Sequence, residues 1–157
     1  MKLTKTVVLL IAVLFVTPVF AQSATADNMQ ILRDKIKADK KLVVAENMQL
    51  TEAEAKGFWP VYEAYQKDLA AINKRIGAML KSYADAWNTK SMDNEKAKKL
   101  SSNFLAVQVD EVKLQQSYVP KLNKVLPATK VARYLQIESK IRAIIKYELA
   151  REIPLVP

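Results

Sequence analysis

The side chains able to do chemistry in this chain are carboxylates and amines, because it contains no His and no Cys. Without imidazole or thiolate, neither a Ser-His-Asp nor a Cys-His constellation can be assembled. The usual ligands for zinc, copper and nickel are also missing, and no Gly-rich phosphate loop is present. Acid pairs such as Glu52 with Glu54 fit the solvated first turn of a helix, where negative charge complements the helix dipole. No loop of EF-hand pattern offers oxygens to a hard cation. The expectation is a protein that is not an enzyme, needs no cofactor or metal, and works by binding.

The amines are clustered. Arg33, Lys35, Lys37, Lys40 and Lys41 fall in one segment, and Lys96, Lys98 and Lys99 in another, with Asp34, Asp39, Glu46 and Glu95 interleaved. Two readings stand: a solvated face that compensates its own charge, or a basic rim built on Lys37, Lys40 and Lys41 that steers acidic or unfolded partners by long-range attraction. Nucleic acid is not expected as a partner, since the aromatics follow helical spacing instead of alternating with the basic residues. An anionic membrane surface could receive a basic amphipathic first helix, but is not the preferred partner.

The first 21 residues read as a secretory signal. Lys2 and Lys5 precede an apolar run from Val7 to Phe15, followed by Pro18 and the small-residue exit Val19-Phe20-Ala21. Cleavage is expected after Ala21, with Ala24-Thr25-Ala26 as a second exit. Lys2 and Lys5 leave with the signal and no acid does, taking the net charge from +9 to +7 over a mature chain of 136 residues. That length suits one domain, residues 22–157. An exported chain without Cys must be stabilised by packing, not by disulfides.

Only two Gly occur, and Ala, Leu, Lys and Glu are abundant, a composition that favours helix. Four helices are expected, near 28–47, 52–87, 93–124 and 128–152. In the second, Phe58, Tyr62, Tyr65, Leu69, Ile72, Ile76, Met79, Tyr83 and Trp87 recur at alternating steps of four and three, a heptad seam that needs a long partner. The third supplies it with Ala97, Leu100, Phe104, Val107, Leu114, Tyr118, Leu122 and Val125. The short polar link Asn88–Asp93 makes the two an antiparallel hairpin, with arms of roughly 45–55 Å. Met29, Leu32, Ile36 and Val43 of the first helix should cover part of its apolar surface. Val131, Tyr134, Ile137, Ile141, Ile144 and Ile145 of the fourth should cover more, and a second copy of the chain the rest. Pro60 and Pro120 lie at nearly one height, so the hairpin is either bent there or carries two isolated kinks. Glu111 interrupts the third helix's seam; it either pairs with a Lys or Arg of a neighbouring helix or faces solvent at the hairpin edge, and the second reading is preferred. Trp59, Trp87 and the tyrosines at 62, 65, 83, 118, 134 and 147 are read mainly as core or dimer contacts, with a partner groove as the sharper alternative.

Two helix starts read alike. Leu50-Thr51-Glu52-Ala53-Glu54 runs into Phe58, and Leu126-Pro127-Ala128-Thr129-Lys130 runs into Tyr134, each placing an aromatic eight residues after the leading Leu. Thr51 and Glu54 form a capping box worth about 1 kcal/mol, and Pro127 suits a first helical turn. The pair resembles the duplicated LTXXQ motif of the Spy/CpxP family, small helical proteins of the bacterial envelope that include ATP-independent chaperones, stress-response modulators and metal-responsive relatives. The motif positions are Leu50, Thr51 and Glu54, then Leu126, Pro127 and Lys130. Glu54 and Lys130 replace the family's Gln, and Pro127 its second Thr. The resemblance implies an all-α, dimeric periplasmic protein that binds unfolded or envelope proteins without turnover. The alternative is a structural or adaptor protein docking a membrane-bound sensor or an envelope surface.

Overall fold

The computed structural model describes residues 39–157, which are helical in four stretches and contain no strand. The first, α1, is described over 39–48. It is followed by α2 (Glu52–Asn88), α3 (Asn94–Asn123) and α4 (Ala128–Glu152). The three complete helices start and end within one residue of the expected limits. The signal segment, Met29, Leu32, Ile36 and Lys37 lie outside the described residues. Residues 43–157 form one compact unit.

The helix ends are fixed by local chemistry. The Glu54 N–H donates to Thr51 Oγ1 at 3.3 Å and the Thr51 N–H returns to Glu54 Oε2 at 2.8 Å, closing the capping box. Asp93 caps α3 by accepting from the Lys96 N–H at 2.8 Å. Lys90, with φ 51°, turns the chain between α2 and α3, and the Lys96 ammonium donates to the Ser91 carbonyl across that turn at 2.6 Å. Pro127 occupies the N-cap position of α4, one residue before the helical turn expected for it, and makes no side-chain cap.

Helices α2 and α3 form the antiparallel hairpin. Gly57 lies against Val125, Tyr65 meets Tyr118 edge-on at 5.3 Å, and Arg75 pairs with Asp110 at 2.5 Å, so the register is constant along the arms. By that register Pro120 lies within one turn of the level of Pro60. Both prolines lie inside helices that continue past them. Each deprives the carbonyl four residues back of its donor, and those carbonyls belong to Lys56 and Gln116, both exposed. Helix α4 then runs back parallel to α2. Tyr134 packs on Phe58, Tyr62 and Tyr65, and beyond the helix the Tyr83 hydroxyl donates to the Pro154 carbonyl.

The core gathers Val44, Met48, Phe58, Tyr62, Tyr65, Leu69, Tyr118, Leu122, Leu126, Val131 and Tyr134. Several expected core positions are corrected. On α1 it is Val44 and Met48, one turn apart, that are fully buried, while Val43 is exposed. Phe104 is 53% exposed. It lies two turns before Glu111 on the same side of α3, at a level where α4 is ending and Leu149 is itself exposed. Ile144 and Ile145 are exposed, because the face that α4 turns to α3 at that height carries Arg142 and Lys146 instead. Tyr147 is exposed as well, whereas the tyrosines at 62, 65, 83, 118 and 134 are buried.

Candidate functional site

The two similar helix starts meet in space. Lys130 Nζ reaches Glu54 Oε2 at 2.5 Å and the Gln49 carbonyl at 2.9 Å, and Phe58 and Tyr134, the aromatics eight residues after each leading Leu, pack edge to face at 5.2 Å. Leu126 is buried and Leu50 packs against the same core. A lysine in the first turn of a helix opposes its own dipole; here the Glu54 carboxylate and the Gln49 carbonyl offset that. Gln49 itself sits at φ 47°, in the left-handed region that costs a non-Gly residue about 1 kcal/mol, and the Lys130 contact helps hold it there. The Lys130 hydrogen bond, then the Thr51 N–H, hold the Glu54 carboxyl below the usual carboxylate range. The two positions where the resembled motif has Gln are thus occupied by an ion pair that ties one helix start to the other.

From Lys130 a line of polar side chains runs up α4 at every fourth residue: Tyr134, Glu138, Arg142 and Lys146. All of them face the hairpin. Glu138 is fully buried and accepts from Gln66 Nε2 at 2.9 Å and from the Tyr134 hydroxyl at 3.1 Å. Arg142 pairs with Glu111 at 2.6 Å and donates to the Tyr65 hydroxyl at 3.3 Å, and Lys146 reaches the other Glu111 oxygen at 2.9 Å. Glu111 is therefore buried and doubly paired. The expectation that it faces solvent is overturned, because α4 brings two cations to its side of α3. Burial, reinforced by Glu138, pushes the Tyr134 hydroxyl pKa well up. Burial also raises those of Tyr62 and Tyr65. Tyr118 is pushed up to about 12, by burial and by the Asp68 carboxylate to which it donates at 2.5 Å.

This ladder was missed as a unit in the sequence, although the spacing 130, 134, 138, 142, 146 signals one helix face with charges inside an apolar stripe. Among the proposed rim residues, Lys40 is half-buried and Lys41 exposed. Lys96, Lys98 and Lys99 are exposed, the last two beside Glu95, Ser102 and Asn103 on a shallow surface.

Away from the motif end, apolar side chains reach the surface. On α3, Leu105, Val109 and Val112 form an outward stripe at helical spacing, opposite the buried Val107 and Tyr118, and Phe104 is exposed separately, on the Glu111 side of the helix. On α4, Ile144 and Tyr147 are 65% and 63% exposed, and Arg151 lies over the Tyr147 ring. The Glu111–Lys146 pair puts these α3 and α4 stretches at one height. Among the described residues no cluster of acids suited to a metal ion occurs, and no helix is long and apolar enough to cross a membrane. No family model, curated protein or solved structure matches the chain.

Proposed function

We propose that the protein is an exported, ATP-independent chaperone-like or envelope-stress-modulating protein of the Spy/CpxP type, which holds unfolded or partner polypeptides without turnover and works as a homodimer in the periplasm. The observation that carries this reading is the set of apolar side chains left in water on two helices: Phe104, Leu105, Val109 and Val112 on α3 and Ile144 and Tyr147 on α4. It is mounted on helices locked together at their other end by an aromatic core. A rigid scaffold that leaves one stretch of its apolar surface in water is suited to transient capture of other exposed apolar chains. Its net positive charge of +9, or +7 without the signal segment, speeds encounter with acidic partners and is screened beyond roughly 8–10 Å at physiological salt.

The test is light scattering of two or three unrelated proteins unfolded by heat or denaturant, with the mature chain added at equimolar or higher amounts. Aggregation should slow without ATP. Moderate salt should weaken the effect by removing the steering, while apolar contacts preserve part of it. Reversing the charges of Lys37, Lys40 and Lys41 together should slow capture. A folded protein that protects none of the clients would overturn this reading in favour of an adaptor for a membrane-bound sensor, identified by a single partner in a pull-down from envelope extract.

A further inference from the structure

We propose that the C-terminal end of α2 is a docking site for extended apolar polypeptide segments, and that residues 153–157 of this chain are a resident strap competing for it. This deepens the proposed function and rests on it, by naming a surface on which a partner segment would be held. Helix α4 stops at Glu152 because Pro154 disfavours a helical conformation at Ile153, and Ile153 is extended, with φ −96° and ψ 115°. The chain then crosses the end of α2. The Tyr83 hydroxyl donates to the Pro154 carbonyl at 2.8 Å, and a cleft of about 380 Å³ lies between Leu80, Tyr83, Ala84 and Trp87 on one side and Ile153 and Pro154 on the other.

Three features argue for a peptide as the occupant. The hydrogen bond that α2 makes to the strap goes to a backbone carbonyl, a group every polypeptide offers. The strap, Ile-Pro-Leu-Val-Pro, has no charged side chain and no side-chain hydrogen-bonding group, so its contacts to α2 are apolar packing and a main-chain hydrogen bond, the latter being the source of affinity when extended segments are recognised through their backbone. Its fit is incomplete: Leu155 is 88% exposed and Val156 47%, and open space lined by Leu80, Ala84 and Trp87 remains beside the strap. A longer apolar segment could use both the hydroxyl donor and the space that the strap leaves open, against the half-buried Trp87.

The probe is a synthetic, N-acetylated peptide of residues 150–157, titrated to millimolar concentration and followed by Trp fluorescence. Two proteins are compared: the chain from residue 22 to 157, and the same chain ending at Glu152. The truncated protein should bind the peptide saturably. The longer one should bind it at least roughly tenfold more weakly, since its own strap is present at millimolar effective concentration. Trp87→Phe should abolish the fluorescence change. Should the truncated chain fail to fold, Ile153→Asp in the longer chain removes the strap's apolar anchor and should give the same gain. A folded, strap-free protein that gives no saturable change, or equal binding by both proteins, would overturn the proposal. Because no aggregating client is present, peptide binding can fail while protection of clients persists. That result would remove this site and leave the proposed function standing.

Discussion

The two ends of the bundle are built differently from similar helices. At the motif end, Phe58, Tyr62, Tyr65, Tyr118 and Tyr134 form edge-on contacts across three helices, the Glu54–Lys130 pair ties two helix starts together, and Gly57 lets the turn after α3 approach so closely that a Cβ there would lie 2.9 Å from Val125. At the α2–α3 turn end, a Cβ on Gly77 would meet nothing within 4 Å, and Ile144 and Phe104 are in water. Under the proposed function, one end supplies stability and the other holds partners. Stability needs mutual burial, whereas a surface that captures other chains must keep apolar area unsatisfied.

The largest effects should follow from emptying the motif end. Phe58→Ala or Tyr134→Ala should cost about 3–5 kcal/mol in urea unfolding. Phe104→Ala or Ile144→Ala should change stability by less than about 0.5 kcal/mol and instead weaken protection of unfolding clients. Equal losses from both pairs would erase the distinction between the ends.

Next comes the junction between the two regions. Glu111→Ala leaves the Arg142 guanidinium buried without its carboxylate and should cost about 3 kcal/mol. Glu111→Met with Arg142→Met removes both charges and should restore most of that loss. A double variant no better than the single one would show that the pair is not the unit that holds α4.

The glycines give a smaller, sign-reversing test. Gly57→Ala must displace Val125 and should destabilise by about 1–2 kcal/mol. Gly77→Ala meets open space and should stabilise α2 by up to about 1 kcal/mol through helix propensity. Thermal midpoints moving the same way for both would contradict the difference in packing.

The dependence on pH should be modest and two-sided. The Glu54 carboxyl is held below its ordinary value of 4.5, so its contribution is present above that pH and is lost as pH falls through the lower, folded-state value. In Glu54→Gln the urea midpoint should fall less steeply on acidification. The hydroxyls of Tyr62, Tyr65, Tyr118 and Tyr134 have raised values, Tyr118 up to about 12. Their contribution is complete below the ordinary tyrosine value of 10.0 and is lost as pH rises above it. In a Tyr147→Phe background, the tyrosinate absorbance of these four should therefore appear together with loss of helical circular dichroism, instead of ahead of it.

The sequence carried the elements well and their coverage poorly. Helix limits were legible because Thr51, Asp93 and Pro127 mark starts, and the α2 seam from Phe58 to Leu69 repeats without interruption. What α4 covers could not be read, since Ile144 and Tyr134 have equal claims to burial until the path of α4 along the hairpin is known. Glu111 was misplaced for the same reason: a carboxylate in a seam is costly alone and tolerable beside Arg142 and Lys146, which are more than 30 positions away in the chain. The two helix starts were recognised as alike, but their meeting through Glu54 and Lys130 is a tertiary fact. The cleft beside Tyr83 had no sequence signal except the two prolines of the strap.

Hydrogen exchange read by mass spectrometry, on the mature protein with and without an unfolded client, tests the division of labour most directly. In the free protein, amides of 58–69, 114–122 and 131–138 should exchange slowest. Client addition should slow exchange chiefly over 80–88, 101–112 and 141–156. Client-induced protection confined to the motif end, or uniform exchange along α2 in the free protein, would contradict the account.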